Sequence, residues 1–334
     1  MRPPPAIFLG HGQVYRADTC EPLKRAARRG VLALSARGRR GYPGPPLPPG
    51  PLDPICSMGV WDARRDQDWG LPWHRNEGIE FAYLARGTLA FGVEGRCVPL
   101  RRGHLTITRP WQVHRIGDPH VTPSRLHWII LDVGVRRPNE PWRWPEWLVG
   151  SPAELKRLTR LLSHNEEPAW RVGKDVERCF EGLAEAAAGR GGAGFETRVK
   201  LRVNELLVTV ADVLERKRIP LDRRLSGTPR TVELFLKGLR ENLEYPWDLD
   251  QMAEQCGLGR TRFVHCCREV VDLSPGEYLT RCRVEAAEKI LRERPDANIT
   301  DVALSCGFGS GQYFATVFRR LRGCTPSEFR LRRP

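Results

Sequence analysis

Between Leu249 and Phe329 the chain repeats itself, and an internal repeat constrains local architecture more tightly than any compositional property. At an offset of 50, Leu249, Met252, Ala253, Cys256, Gly257 and Leu258 reappear as Ile299, Val302, Ala303, Cys306, Gly307 and Phe308. The second copy then gains one residue. At an offset of 51, Phe263, Cys266, Cys267, Arg268, Ser274, Pro275 and Tyr278 reappear as Phe314, Val317, Phe318, Arg319, Thr325, Pro326 and Phe329. Each copy reads as helix, glycine turn, helix. Asp248-x-x-Gln251 and Asn298-x-x-Asp301 put a capping side chain at a helix start with a polar partner three residues on. Gly257 and Gly307 supply the sharp turn, and the second helices start near Arg260 and Gly311. Ser274-Pro275-Gly276-Glu277 and Thr325-Pro326-Ser327-Glu328 are capping boxes with Pro at the first helical position, so another helix follows each unit.

A short helix, a tight turn and an amphipathic second helix form the unit that places its second helix in a DNA major groove. The helix beginning at Pro275 runs to about Arg294, so its ~19 residues rise ~28 Å. That length suits two recognition helices at the ~34 Å spacing of successive grooves on one face of DNA. In the first unit Leu258, Phe263, Cys266 and Cys267 form the inward set, leaving Arg260, Thr261, Arg262, Val264, His265 and Arg268 outward. Thr261, His265 and Arg268 share a face, and the same face of the second unit carries Gln312, Thr316 and Arg319. Gln pairs bidentately with adenine, Thr meets the thymine methyl, and Arg binds guanine or phosphate. Arg320, Arg322, Arg330, Arg332 and Arg333 read as phosphate contacts or as solvated charges. An ordinary exposed helix face is the competing reading for the whole set.

The net charge of +14 suits a polyanionic partner, but its distribution does not locate one. Residues 1–60 carry nine Lys/Arg against three Asp/Glu, whereas residues 230–334 carry seventeen against fifteen. A DNA surface in the C-terminal part therefore depends on which face its basic residues share. The ten cysteines show no Cys-x-x-Cys spacing, which excludes a zinc finger and favours buried reduced thiols at Cys256, Cys266, Cys267, Cys282, Cys306 and Cys324. No apolar run approaches the ~20 residues of a membrane span. The opening residues lack a secretory pattern, and a cytoplasmic protein with no membrane partner is expected.

Ahead of the repeat the pattern changes several times. Residues 1–54, with the basic stretch Lys24 to Arg29 and a Pro/Gly-rich run from Gly41 to Pro51, read as an extended arm containing at most a short helix. Residues 55–150 carry short apolar runs (Ile79 to Leu84, Thr88 to Val93, His104 to Thr108, Leu126 to Val133) broken by Gly and Pro, the mark of antiparallel β structure. Residues 151–218 look helical: Leu155 to Leu162, Val176 to Ala188, and a longer helix from about Glu196 to Arg218. On that last helix Val199, Val203, Leu206, Leu207, Val210, Val213 and Leu214 make one apolar face, able to pack on its own domain or on a second subunit. Residues 219–230 read as a linker and 231–334 as the DNA-binding domain. The fold class is thus multidomain α+β.

Residues 249–330 resemble the DNA-binding domain of the AraC/XylS family of bacterial transcription regulators. The resemblance is carried by Asp301-Val302-Ala303-Leu304-Ser305-Cys306-Gly307-Phe308, by Tyr313-Phe314-x-x-x-Phe318-Arg319-Arg320, and by Gly323-x-Thr325-Pro326-Ser327-Glu328-Phe329-Arg330. The chain departs from that family at Gly259, usually a capping Ser, at Cys267, usually Phe, and at Thr316, often basic; these departures bear on the target sequence more than on the fold. The family implies a sensor in front, and residues 70–135 resemble a cupin β-barrel. His74-x5-Glu80-x6-Gly87 looks like the first half of a cupin motif and Gly103-x6-Pro110-Trp111-Gln112-Val113-His114 like the second. In metal-binding cupins His74, Glu80 and His114 would be three ligands, but Asn76 stands where a second histidine is usual. No cofactor is expected, and these three are the ligands should a divalent ion bind. Eight of the ten tryptophans lie between Trp61 and Trp147, with Trp69, Trp73 and Trp111 beside these positions. Aromatic walls with a few polar groups suit a small organic effector such as a sugar, bound near His74, Glu80, Trp111 and His114, although core packing explains the tryptophans equally well. A homodimeric regulator of double-stranded DNA is expected, and no enzyme, with RNA polymerase a further partner if it is an activator; the sequence leaves activator and repressor both open. A metal-dependent cupin enzyme with a DNA-binding tail and a protein-interaction module remain the alternatives.

Overall fold

A computed structural model describes residues 18, 20–39, 41–135, 140–189, 192–217, 221–222, 225 and 227–331. They fall into two compact units, one within Arg16–Ser226 and one within Gly227–Pro334.

The first unit is built around one strand. α1 (Glu21–Arg28) and β1 (Ala33–Gly38) lead into β2 (Ile55–Ala63), β3 (Leu71–His74), β4 (Ile79–Val93), β5 (Arg96–Arg101), β6 (His104–Thr108), β7 (His114–Ile116) and β8 (Ser124–Leu131). α2 (Pro152–Ser163), β9 (Ala169–Arg171), α3 (Lys174–Ala188) and α4 (Phe195–Arg216) complete it. All strand pairs are antiparallel, in the order β1-β2-β8-β4-β6-β9, with β3, β7 and β5 joined through the far half of β4. β4 pairs first with β6 and β8 and, beyond Gly87 at φ +84°, with β5 and β7. The two runs read from sequence as Ile79 to Leu84 and Thr88 to Val93 are therefore one strand shared by two sheets.

Alternation along β4 separates two cores. Phe81 and Tyr83 pack with Met58, Ile107 and Ile129 against residues of α2, α3 and α4, while Ala82 and Leu84 pack with Phe91, Leu100, Ile116 and Trp128. Both faces of the central strands are covered, which is why β8 is buried along its length apart from Arg125, with Ser124 and His127 buried among its apolar residues.

The structure corrects one expectation and decides between two alternatives that the sequence leaves open. The described part of residues 1–54 is no extended arm: β1 pairs along its whole length with β2, Leu23, Ala26 and Tyr42 join one core, and Leu47 and Leu52 the other. The Pro/Gly-rich run lacks regular structure yet buries these apolar side chains, and that burial is the physical reason it is held down. The apolar face of α4 is spent within its own unit, with Val199, Val203, Leu206, Leu207, Val210 and Leu214 all at most 3% exposed. Helices 151–218 are thus part of the sheet-bearing unit, and that face is not free for a second subunit. Ile219-Pro220 lies outside the described residues, and the linker gives way at Gly227 to α5 (Thr228–Leu239), where Pro229 sits in the first turn.

The second unit continues with α6 (Leu249–Gln255), α7 (Arg260–Val271), α8 (Pro275–Glu293), α9 (Ile299–Ser305), α10 (Gly311–Arg322) and α11 (Pro326–Leu331). Its two halves have separate cores. Leu279 and Cys282 of α8 join Phe235, Phe263, Cys266 and Cys267, while Val284, Ala287 and Leu291 join Phe308, Phe314, Val317 and Phe318. Between these two sets on α8 sits Arg283, which donates from Nε to the Leu243 carbonyl at 2.9 Å and from Nη2 to the Tyr245 carbonyl at 2.7 Å. Gly307, the turn glycine of the second half at φ +86°, packs against the same carbonyl: a Cβ there would lie 2.1 Å from Leu243 O and 2.8 Å from Arg283 Nε. Gly307→Ala therefore costs about 1–2 kcal/mol for the left-handed backbone alone, with the clash in addition. Its check is amide hydrogen exchange, with α9 and α10 losing protection while β4 and β8 keep theirs. Unchanged protection in α9 would refute the clamp.

Candidate nucleic-acid interface and ligand cluster

Short helices need their ends satisfied, and in the second unit α6, α8, α9, α10 and α11 are capped by a side chain whereas α5 starts at Gly227 without one. Asp248 accepts from Gln251 N at 2.7 Å while the Gln251 side chain returns to Asp248 N at 3.1 Å. Ser274 with Glu277 and Thr325 with Glu328 close the same reciprocal box, and Asn298 caps α9. Ser310 caps α10 through Tyr313 N, whereas Gly259 gives α7 no side-chain cap, as its departure from the family pattern implies. Gly257 and Gly307 take φ +64° and +86° at the two turns.

The inward and outward sets divide as the periodicity requires except at Leu258, read as inward, and Val264, read as outward, which are both half-buried. Phe263, Cys266 and Cys267, and likewise Phe314, Val317 and Phe318, are 0–2% exposed. Arg260, Thr261, Arg262, His265 and Arg268 on α7 and Gln312, Thr316, Arg319 and Arg320 on α10 all lie exposed. Their present partners differ. Arg260 is ion-paired with Asp250 of α6, and His265 Nδ1 lies 3.4 Å from Glu269. The Thr316 hydroxyl donates to the Gln312 carbonyl, which leaves its methyl and its acceptor lone pairs to offer. Of the tail arginines, Arg322 pairs with Glu288, and Arg330 donates to the carbonyls of Pro295 and Ala297; this gives both structural partners. Arg332 and Arg333 lie outside the described residues. Periodicity did not single out Tyr313, 59% exposed one residue from Gln312. All ten cysteines are free, and the six near the C-terminus are buried.

In the sheet-bearing unit three of the four predicted ligand residues converge. β3 pairs with β7 so that His74 lies opposite His114, their ring centroids 4.2 Å apart, and Glu80 at the start of β4 meets His114 Nε2 at 3.0 Å. One ligand atom from each of His74, Glu80 and His114 lies within 4.8 Å of the others. Both imidazoles are oriented from behind, His74 Nδ1 by the Pro72 carbonyl at 2.6 Å and His114 Nδ1 by that of Gln112 at 2.9 Å. Asn76, 2% exposed, donates from Nδ2 to Glu80 at 2.7 Å, and its Oδ1 is buried without a hydrogen-bond partner.

Electrostatics separate the two histidines. Burial, and then the charge of His114, pushes His74 down to about 4, which leaves it neutral at neutral pH. Burial alone would lower His114, but the hydrogen bond and charge of Glu80 carry it above its ordinary value. Glu80 answers in kind: burial raises it, and His114, His74 and Asn76 together pull it below the usual carboxylate range.

The tryptophans are mostly structural. Trp111, at φ +62°, is 3% exposed and donates to the Val135 carbonyl at 2.8 Å, while its own amide donates to Asn76 O at 2.9 Å. Trp69 packs edge-on against Trp61, and Trp73 is 42% exposed beneath the Arg115 guanidinium. Sequence reasoning missed the buried pair of Tyr42 and Glu77, joined at 2.6 Å next to Asn76, in which Tyr42 comes from the segment assigned to the arm. Only an unusually buried acid beside Asn76 would have betrayed it, and burial is not readable from pattern alone.

Two capped helix-turn-helix units on one shared helix, carried in the same chain as a double-sheet domain, define the class of protein. The helix-turn-helix domain family matches residues 252–332 and the cupin domain family residues 66–130. The transcriptional regulator ArgR of Pseudomonas aeruginosa is 32% identical over 120 residues, 36% of each chain. The virulence regulon transcriptional activator VirF of Yersinia enterocolitica is 33% identical over 132 residues, 40% of this chain and 48% of that one. The transcriptional activator RhaS of Shigella flexneri is 28% identical over 278 residues, 83% of this chain and 94% of that one. The chain thus spans about a third to a half of the first two relatives and nearly all of the third. Its C-terminal region is an AraC-type helix-turn-helix domain, and the double sheet before it is a cupin domain. Among the described residues no helix is long and apolar enough to cross a membrane.

Proposed function

We propose that this chain is a sequence-specific transcriptional regulator that reads two successive major grooves of double-stranded DNA with α7 and α10 and takes a small-molecule effector at the His74, Glu80 and His114 cluster. The observation that carries the DNA reading is the repeated exposed face, Thr261, His265 and Arg268 in one unit and Gln312, Thr316 and Arg319 in the other, each over a fully buried core. Arg262 and Arg320, exposed beside those faces, serve as phosphate contacts, and Arg260 joins them if DNA outcompetes Asp250. Effector binding alters DNA affinity by a coupling free energy, typically about 1–3 kcal/mol. Two relatives carry the name of activator, and recruitment of RNA polymerase follows for this chain on the same reading. The relatives' names are those of regulators rather than enzymes, which favours this reading over a cupin enzyme with a DNA-binding tail.

Base-reading and phosphate-binding residues have different signatures. Gln312→Ala should relax preference at one operator position at a cost of about 1–3 kcal/mol, whereas Arg320→Ala should weaken binding to all sequences about equally and reduce the salt slope by about 1. Competition binding against a panel of operator variants checks both, and an unchanged preference in Gln312→Ala would remove that face from the account.

Homodimerisation, if α4 mediates it, uses another face than the one periodicity indicated. Leu201 and Val208, seven residues apart, are 64% and 59% exposed, beside Val149 at 83%. A second copy placed by a two-fold axis buries this stripe against itself. Leu201→Asp with Val208→Asp should yield folded monomers in sedimentation, while Leu206→Asp, at a site 1% exposed, should unfold the cupin domain. Folded dimers from the double variant would exclude α4.

A further inference from the structure

The segment after β8 and the helix α2 border an open groove of about 880 Å3 that shares no residue with the His74, Glu80 and His114 cluster. Its size lies within the range of about 300–1,000 Å3 common to small-molecule sites. Trp142 and Trp144 line it with ring centroids 5.6 Å apart and planes at 59°. Both are half-buried against the core beneath, so each is left partly uncovered. Their positions are fixed without a ligand. Trp144 Nε1 donates to Thr159 Oγ1 at 2.8 Å, that hydroxyl donates to the Leu155 carbonyl at 2.8 Å, and the Arg143 amide between the two tryptophans donates to the Val133 carbonyl at 2.7 Å. A site braced in this way does not have to be ordered by what binds it.

α2 adds charge to this aromatic wall. Lys156 and Arg160 line the groove one helical turn apart, both exposed and neither ion-paired among the described residues. Other arginines of the same helical layer are matched with carboxylates: Arg157 with Glu215, Arg178 and Arg202 with Glu205, and Arg216 with Asp212. Glu140 is the one carboxylate among the lining residues. Side chains four apart on a helix are neighbours, so ammonium and guanidinium can meet a single acidic group through charge-assisted hydrogen bonds. An ordinary solvated helix face explains the two cations but not the braced, half-covered tryptophans beside them. We propose that this groove binds a small aromatic anion, its ring against Trp142 and Trp144 and its acidic group on Lys156 and Arg160. A neutral apolar ligand would leave the cations unused and an inorganic anion the tryptophans; a molecule with both parts uses all four side chains. The groove is a second ligand site, and it does not depend on the reading of the His74 cluster as the effector site.

The test is isothermal titration calorimetry of the purified full chain with 2-naphthoate. The comparison compounds are 2-naphthylmethanol, which has the ring without the charge, and cyclohexanecarboxylate, which has the charge without the aromatic ring. One saturable site per chain is expected for naphthoate, with each comparison compound at least about tenfold weaker, the effect of losing one charge-assisted contact. Lys156→Ala with Arg160→Ala, both at exposed positions, should weaken naphthoate by at least as much and flatten its salt dependence. Trp142→Leu, which keeps apolar bulk without a ring, should weaken it too, whereas Trp142→Phe should retain most of the affinity, so a packing defect cannot pass for support. Glu80→Gln should bind naphthoate as the native chain does. No saturable site below about 1 mM, equal affinity for naphthoate and naphthylmethanol, or native affinity in the folded double variant would each overturn the proposal. Loss of binding in Glu80→Gln would place the anion at the cupin cluster and overturn the groove as its site.

Discussion

A seven-residue helix does not hold itself together in water, because nucleation costs more than so few backbone hydrogen bonds return. α6 and α9 have that length, and each forms the first half of a reading unit. Their existence therefore depends on α8, whose 19 residues supply one side of both small cores. Arg283 sits where the two sets of α8 side chains meet and ties that helix to the loop before α6, against which the second turn glycine is pressed. One helix thus joins the two recognition surfaces, while α7 also packs on α5, where Phe235 meets Phe263 edge to face.

The cupin domain shows the same economy in β structure. β4 belongs to both sheets, and alternation along it sends Phe81 and Tyr83 to one core and Ala82 and Leu84 to the other. Glu80 enters the cluster from the beginning of this strand, while β7, paired with its end at Val93, brings His114 back to the same place. Glu80 is accordingly held on the strand that pairs with β5, β6, β7 and β8, while His74 and His114 reach it from the short strands β3 and β7.

How much was legible in the sequence depends on the range of the interactions. The C-terminal architecture is written in short-range chemistry: caps three residues from their partners, glycines at forced turns and a period of 3.6, all visible without knowing what lies across the core. The meeting of His74, Glu80 and His114 was legible only through the cupin resemblance. The stretch from Cys20 to Pro54 was not, because Leu23, Tyr42 and Leu47 are held by strands far along the chain and their segment has no periodicity to announce it. α4 lies between these cases. Its apolar face was correctly located, but amphipathicity shows only that a face is covered, and here α3 and the sheet cover it.

The central claim is that two units fixed by one helix read two adjacent grooves. The most direct test is selection of bound fragments from random duplex DNA by the purified chain, followed by titration of the selected sequence across salt concentrations. The account predicts a bipartite motif whose elements lie about one helical turn, ~10 base pairs, apart, with affinity falling steeply as salt rises. A single contiguous element, or two elements whose spacing varies freely among the selected sequences, would contradict it.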